Sequence, residues 1–356
     1  MASIKDKNGK WISRFYFTNY KGEKIQKFKR GFKTKRDAQE WEREFIAKSK
    51  FEITMSFNSL YEMYLEDLSH RLRENTIMTK RHIIEKKILP FFREMEIGKI
   101  TPVIIRKWQN KLMKYEDPKT NKLYSQTYIK TINNQLVAIL NYAVKYHSLN
   151  ENPCHKAGSI GRKQADEMEI WTVEEFEKFI KHLKHKPISF VGFNILFWTG
   201  IRIGELLALT INDIDLKNRT IRINKSYQRL NKEDVITDPK TAKGNRIIKI
   251  TENLANILAN YIDTLYNVET SDRLIISTKY RFHHDMKLYS EKAKVKKIRV
   301  HDLRHSHASL LIHLGVSPLA IAKRLGHEKI ETTLNTYSHL YPDKEKDVID
   351  LLDGLK

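Results

Sequence analysis

The period of the apolar residues changes twice along the chain, and that confines it to a three-part fold. Trp11, Ser13, Phe15 and Phe17 alternate with Ile12, Arg14, Tyr16 and Thr18, the two-residue period of a strand. Asn8-Gly9 signals a turn before this run, and a second turn around Asn19–Gly22 leads into another alternating run, KIQKFKRGF. Thr34 then reads as an N-cap with Asp37 three residues on, and Ala38, Trp41 and Phe45 as the inward stripe of a helix. From about residue 56 to 150 the period is helical, through SLYEMYLEDLSH, ENTIMTKRHIIEKKIL, PVIIRKWQNKLMKY and SQTYIKTINNQLVAILNYAVKYH. Thr101-Pro102 and Ser125 read as helix starts, Pro90 and Pro118 as breaks. NPCHKAGSIGRKQADEME, residues 152–169, has no period and reads as an interdomain linker. Beyond it helix signals (WTVEEFEKFIKHL, ISFVGFNILFWTG) give way to strands (RTIRINKS, NRIIKIT) and then to helices. The fold expected is multidomain α+β. A small β-sheet-plus-helix domain (1–52) comes first, then an all-α bundle (53–158). A mixed, mainly helical domain with a small antiparallel sheet (159–356) completes it.

Charge narrows the function. Sixty-five Lys and Arg stand against 43 Asp and Glu, a formal +22, and the first fifty residues alone hold fifteen against six. A surplus of that size calls for a polyanionic partner, because each Lys or Arg that meets a phosphate releases condensed counterions. Arg14, Lys27, Lys29 and Arg30 in the sheet, and Lys80, Arg81 and Lys130 in the bundle, are the candidate DNA contacts. No apolar run approaches a membrane span and the N-terminus leads into polar sequence, so a cytoplasmic protein without membrane partners is expected. One cysteine, Cys154, leaves neither an internal disulfide nor a Cys-based zinc site.

The chemistry gathers in the last domain. In TGIRIGELLALTINDID, Gly200 ends one helix, and Arg202 opens the next with Glu205 on the same face; Leu206 and Leu209 supply its buried side. DVITDPKTAKGNRIIKIT reads as two strands joined by a turn around Ala242–Asn245, with Lys240 on the approach and Lys243 on the turn as competing candidates. In HDLRHSHASLLIHLG, Asp302 can cap a helix with Leu303, Leu310, Leu311 and Leu314 inward, on which His301 and Arg304 share a face. Ser317-Pro318 opens a further helix that Gly326 closes, presenting His327, and Tyr337 stands ten residues on. His301 and His305 have the i, i+4 spacing of zinc ligands, yet there is no HExxH, and Arg304 would set a cation beside the metal. His307 reads as a core histidine, and His305 and His313 have no assigned role.

Arg, Lys, His/Arg, His and Tyr in this order describe metal-free phosphoryl transfer. Two guanidiniums and an imidazolium can hold the non-bridging oxygens of a phosphodiester, a tyrosine drawn towards phenolate by cationic neighbours can attack, and a lysine can protonate the leaving oxygen. R-x-x-E in TGIRIGE, the PKT lysine, HDLRH, LGH and the following tyrosine resemble the tyrosine recombinase family in its phage-type integrase branch. The likeness runs through the whole chain, as arm-type DNA-binding, SAM-like core-binding and catalytic domains.

The resemblance implies that Arg202, Arg304 and His327 grip the scissile phosphate. It makes Lys240 the general acid, His301 an acid/base or phosphate ligand, Tyr337 the nucleophile and Glu205 a support. It implies integration of a mobile element, with excision as its companion, through a 3′-phosphotyrosine intermediate without cofactor, metal or ATP. Its partners would be double-stranded DNA at core and arm attachment sites, an excisionase and a host DNA-bending protein. A homotetramer would form on DNA, and the tail's Val348, Leu351, Leu352 and Leu355, at helical spacing, would dock on a neighbour or else cap the chain's own core. The alternatives are topoisomerase IB-like relaxation of DNA and a DNA-binding regulator without catalysis.

Overall fold

The computed structural model describes residues 2–5, 9–18, 24–118, 120–163, 169–239 and 242–340. They fall into two compact units, Met1–Asp166 and Glu167–Lys356.

The first unit opens with a three-stranded antiparallel sheet, β1 (Ala2–Lys5), β2 (Trp11–Thr18) and β3 (Lys24–Phe32), followed by α1 (Lys35–Thr54). Thr34 and Asp37 form the expected capping box, each accepting the other's backbone N–H at 3.1 and 3.2 Å. Phe15, 6% exposed, packs against Trp41 and Phe45 of α1. The opposite face of the sheet carries Arg14 beside Phe28 and Tyr16 beside Gln26, and Tyr16 and Phe28 are exposed. Arg30 lies on the same face, its guanidinium 5.5 Å from the Phe28 ring. Lys27 and Lys29 pair with Phe15 and Ser13, so they stand on the α1 side, their amines over Phe45, Phe32 and Trp41.

A helical region follows: α2 (Phe57–Ser69), α3 (Glu74–Ile83), α4 (Leu89–Phe92), α5 (Pro102–Met113), α6 (Gln126–Tyr146) and α7 (Pro153–Ala157). Thr101 and Ser125 cap α5 and α6 as expected. Three expectations change here. Pro90 does not break the helix, because Ile84–Ile88 widens into a π turn and the backbone continues into α4. Proline offers no N–H to the preceding turn; the wider turn accommodates this, and the Trp108 indole donates to the Lys87 carbonyl at 3.1 Å. The region is not wholly helical either: β4 (Glu116–Asp117) and β5 (Lys122–Leu123) form a small hairpin around Pro118. The presumed linker begins as helix α7, with Asn152 capping Cys154, and Cys154 and Ala157 belong to the core of α5 and α6. Burial pushes the Cys154 thiol up to about 12.

The second unit holds α8 (Val173–Lys181), α9 (Pro187–Thr199), α10 (Ile203–Leu206), β6 (Ile214–Asp215), β7 (Thr220–Ile223), β8 (Ser226–Leu230), β9 (Glu233–Thr237) and β10 (Arg246–Lys249). It ends with α11 (Glu252–Asp263), α12 (Lys279–Lys292), α13 (Asp302–His313), α14 (Pro318–Leu325) and α15 (Ile330–Tyr337). Helix α9 is apolar on nearly every side and is accordingly central, with Phe197 stacked on Phe176 of α8 at 4.0 Å. The strands do not pair as their order suggested. β9 turns back on β8 through Asn231-Lys232, both at positive φ, whereas β10 joins β7 and β6 in a separate antiparallel sheet. The connection between β9 and β10 therefore passes from one sheet to another and includes a 3₁₀ turn at Ala242–Gly244.

Helix α13 is fixed from its start. The Trp171 N–H donates to the Ser306 hydroxyl at 2.9 Å and its indole to the Lys296 carbonyl at 2.8 Å. Asp302 is the first residue of α13, not its cap; its carboxylate turns back to the Arg299 N–H and guanidinium. The buried face is Leu303, Arg304, Ser306, His307, Ala308 and Ile312, while Leu314, expected inside, is 66% exposed. The tail residues Val348 to Leu355 lie outside the described residues. Among the described residues no helix is long and apolar enough to cross a membrane.

Candidate active site

Four helices of the second unit, α10, α13, α14 and α15, bring Arg202, Glu205, His301, Arg304, His327 and Tyr337 into one corner. Arg202 precedes α10 and is 42% exposed; its Nη1 donates to Glu205 Oε1 at 2.8 Å and its backbone N–H to Oε2 at 3.0 Å. Glu205 also accepts from Arg246 of β10, at 2.8 Å. Burial alone would raise the Glu205 carboxyl, but Arg246 and then Arg202 outweigh it and hold the group below its ordinary range. This depressed pKa stabilises the fold above the unfolded carboxylate's pKa of about 4.3, and the contribution is lost as pH falls through the folded pKa. Glu205→Gln is therefore expected to cost about 2 kcal/mol at pH 7. The gap to wild type should narrow on acidification, as urea unfolding at a series of pH values will show.

Arg304 is 3% exposed. Its Nη1 donates to the Gly200 carbonyl at 2.9 Å and its Nη2 to the Leu325 carbonyl at 2.8 Å. These bonds fix the guanidinium from two sides. Gly200 ends α9 at φ +69°, where a Cβ would stand 2.7 Å from the His307 ring, so both conformation and space require glycine. His307 is a core histidine, as its position suggested. It accepts from Arg324 Nε at 3.0 Å, and burial followed by the Arg324 charge pushes it down to about 3.

His327 follows α14 after Gly326, which sits at φ +70°. Its Nδ1 lies 2.7 Å from the Thr333 hydroxyl, which fixes the ring. Burial, then the charges of Arg304, Arg202 and Arg246, push it down to about 4, which favours the neutral ring over the expected imidazolium. Tyr337 is the last residue of α15 and 2% exposed, its ring packed with Ala308, Ile312, Ile321 and Leu325. Burial pushes its phenol up to about 12 against the pull of Arg304. The expected lowering by cationic neighbours is overruled.

Two participants had no sequence assignment. His305 Nδ1 is 2.6 Å from Tyr337 Oη, and the His301 ring meets His305 edge-on at 5.2 Å. Arg246 completes the Glu205 pair. No spacing rule links residues 305 and 337 or 205 and 246, although His305 beside Arg304 on a site helix was a signal available to sequence. Lys240 lies outside the described residues. Lys243 donates to the Glu328 carbonyl at 2.8 Å. Among the described residues, no three His, Cys, Asp or Glu side chains are grouped as around a metal.

The proposed DNA contacts separate into classes. Arg14, Arg30 and Arg81 are exposed. Lys80 is half-buried, its amine donating to Gln135 at 2.9 Å, and Lys130 is bonded to the Ser159 hydroxyl.

A sheet-and-helix module, a helical region and a mainly helical α+β unit, in that order, with an arginine–histidine corner around a tyrosine, define a site-specific DNA recombinase. The chain belongs to the phage integrase family of tyrosine recombinases. The family's own sequence model matches residues 170–344, and models described as the N-terminal SAM-like domain of phage integrase and the arm DNA-binding domain match 56–113 and 3–49. It is 33% identical over 332 residues to the ICEBs1 integrase of Bacillus subtilis (strain 168), covering 89% of this chain and 87% of that one. With the integrase of Staphylococcus phage L54a it shares 27% over 288 residues, 71% and 81% of the two chains. Its fold matches the Tn1549 transposon integrase solved with transposon right end DNA, with TM-score 0.67 and 19% identity over 85% of this chain and 99% of that one. It also matches a lambda integrase tetramer bound to a Holliday junction, at TM-score 0.59 and 14% identity over 92% and 95%.

Proposed function

We propose that this recombinase integrates, and excises, a mobile element by attack of Tyr337 on a DNA phosphodiester. The observation that carries this reading is the burial of the Tyr337 hydroxyl in the corner that Arg304, His305 and His327 share. The Tyr337 oxygen bonds to phosphorus and the bond to the 5′-oxygen breaks, leaving a 3′-phosphotyrosine and a free 5′-hydroxyl. The partner duplex's 5′-hydroxyl reverses the step, and because the phosphodiester's energy is kept in the protein–DNA link, no ATP is consumed. Arg202, Arg304 and the His327 ring bind the non-bridging oxygens and stabilise the pentacoordinate transition state. His301 adds a further phosphate contact or proton relay, and Glu205 aims Arg202. Lys240, on the connection before the 242–244 turn, protonates the leaving oxygen.

Residues 1–52, 53–158 and 159–356 serve as arm-binding, core-binding and catalytic domains. The open sheet face with Arg14 and Arg30 suits an arm-site groove, and Arg81 the core site; Lys27, Lys29, Lys80 and Lys130 contribute only by leaving their present partners. A tetramer forms on two paired sites, in the cytoplasm where nucleoid DNA lies, with an excisionase and a DNA-bending protein as accessories. Support for the tetramer comes from the lambda integrase solved as a tetramer on a Holliday junction; an open groove of about 970 Å³ lies beside β10 and α14. Ile247, Val316 and Leu319 line it and give an apolar face against which a neighbouring copy would pack.

The decisive experiment incubates the protein, in EDTA, with nicked DNA spanning the element's own junctions. A protease-sensitive adduct should appear on a denaturing gel, and peptide mapping should place the nucleotide on Tyr337. Tight binding without any adduct would overturn the reading in favour of a regulator.

A further inference from the structure

We infer that His305 is the base that takes the Tyr337 proton during cleavage and returns it during rejoining. The inference rests on Tyr337 being the nucleophile. Among the described residues, His305 Nδ1 is the side-chain atom hydrogen-bonded to the reacting oxygen, at 2.6 Å. The other histidines are otherwise placed. His327 engages Thr333 through Nδ1, and His301 reaches the group only through the edge of the His305 ring. The Tyr337 ring is held in an apolar pocket, so its hydroxyl cannot discard a proton directly to bulk water.

The balance is simple. As the Tyr337 Oη–P bond forms, the phenolic proton passes to His305 Nδ1, whose tautomer then carries the existing N–H on Nε2. The P–O5′ bond breaks and the 5′-oxygen takes a separate proton from Lys240. Rejoining returns the first proton to Oη and the second to the amine. With the phenol near 12 and the imidazole near 4, complete transfer before attack is strongly uphill. The proton therefore moves together with bond formation to phosphorus. Burial lowers the basicity of His305 most; His301, Asp302, Arg304 and Arg299 then act on it, with His327 and Tyr337 facing it from the neighbouring segments. A phosphate anion in the corner offsets the arginines and makes the imidazole a better base.

Single-turnover cleavage of nicked DNA separates this role from a merely mechanical one. His305→Ala should slow adduct formation by about 10²–10³-fold with DNA binding unchanged. Its rate should then rise about tenfold per pH unit as hydroxide replaces the imidazole. His305→Asn keeps a hydrogen-bond acceptor but takes no proton, and it should be as slow as His305→Ala. A substrate with sulfur in place of the 5′-bridging oxygen needs no proton on its leaving group, so it should rescue Lys240→Ala and not His305→Ala. Near-wild-type cleavage by His305→Asn, or sulfur rescue of His305→Ala, overturns the inference while leaving Tyr337 as nucleophile. An adduct formed by Tyr337→Phe overturns the nucleophile and the inference together.

Discussion

Tyr337→Phe is expected to form no covalent adduct with DNA and to stay folded. The change removes one hydroxyl and leaves the ring among Ala308, Ile312, Ile321 and Leu325. What is lost structurally is a single bond to His305, whose ring is half-exposed and can take water instead. That costs about 1 kcal/mol, or a fall in melting temperature of about 2–4 °C for a unit of this size. Chemically the loss should be total, because the oxygen proposed to bond to phosphorus is gone. A denaturing gel and a thermal melt on the same preparation test both halves. A large fall in melting temperature would mean that the phenol is a structural post.

Arg304→Ala is expected to damage fold and chemistry together. The guanidinium is buried and satisfies the carbonyls that end α9 and α14, at Gly200 and Leu325. Without it those two acceptors and a cavity remain, at a cost of about 2–4 kcal/mol. Cleavage should fall by about 10³-fold or more, since the site loses a preorganised donor to the developing charge. Arg304→Lys is the informative companion. One ammonium keeps the charge but cannot span both carbonyls and still face a phosphate. It should recover part of the stability in urea unfolding and little of the rate in single-turnover cleavage. Full recovery of rate would mean that charge alone is needed there.

Much of this was legible because it is local. Thr34 with Asp37, Ser125, Thr101-Pro102 and Ser317-Pro318 state their helix starts within four residues, and Arg202–Glu205 needs only one helical turn. The spacing of His301, Arg304, His327 and Tyr337 was equally plain. What escaped depends on contacts between distant segments. Strands β8 and β9 outcompeted β9 and β10 because two residues with positive φ close a tighter turn than the eight-residue connection does. Pro90 looked like a stop, yet the surrounding core and the Trp108 indole support a wider turn in its place. Cys154 sat in a stretch without period, since a five-residue helix is too short to show one. The Tyr337 phenol was expected to be acidified by the arginines, and only its depth shows that dehydration dominates.

That short helix bears on how the molecule can be watched at work. Cys154 is the chain's single native thiol, and it is 3% exposed, with ionisation suppressed by the surrounding apolar side chains. Maleimides and other thiolate-seeking dyes react slowly with such a group. A cysteine introduced at the exposed Glu40 or Glu66 would be labelled in its place, with no need for a cysteine-free background. Fluorophores on the arm module and the core-binding helices could then time the arrival of each on DNA separately.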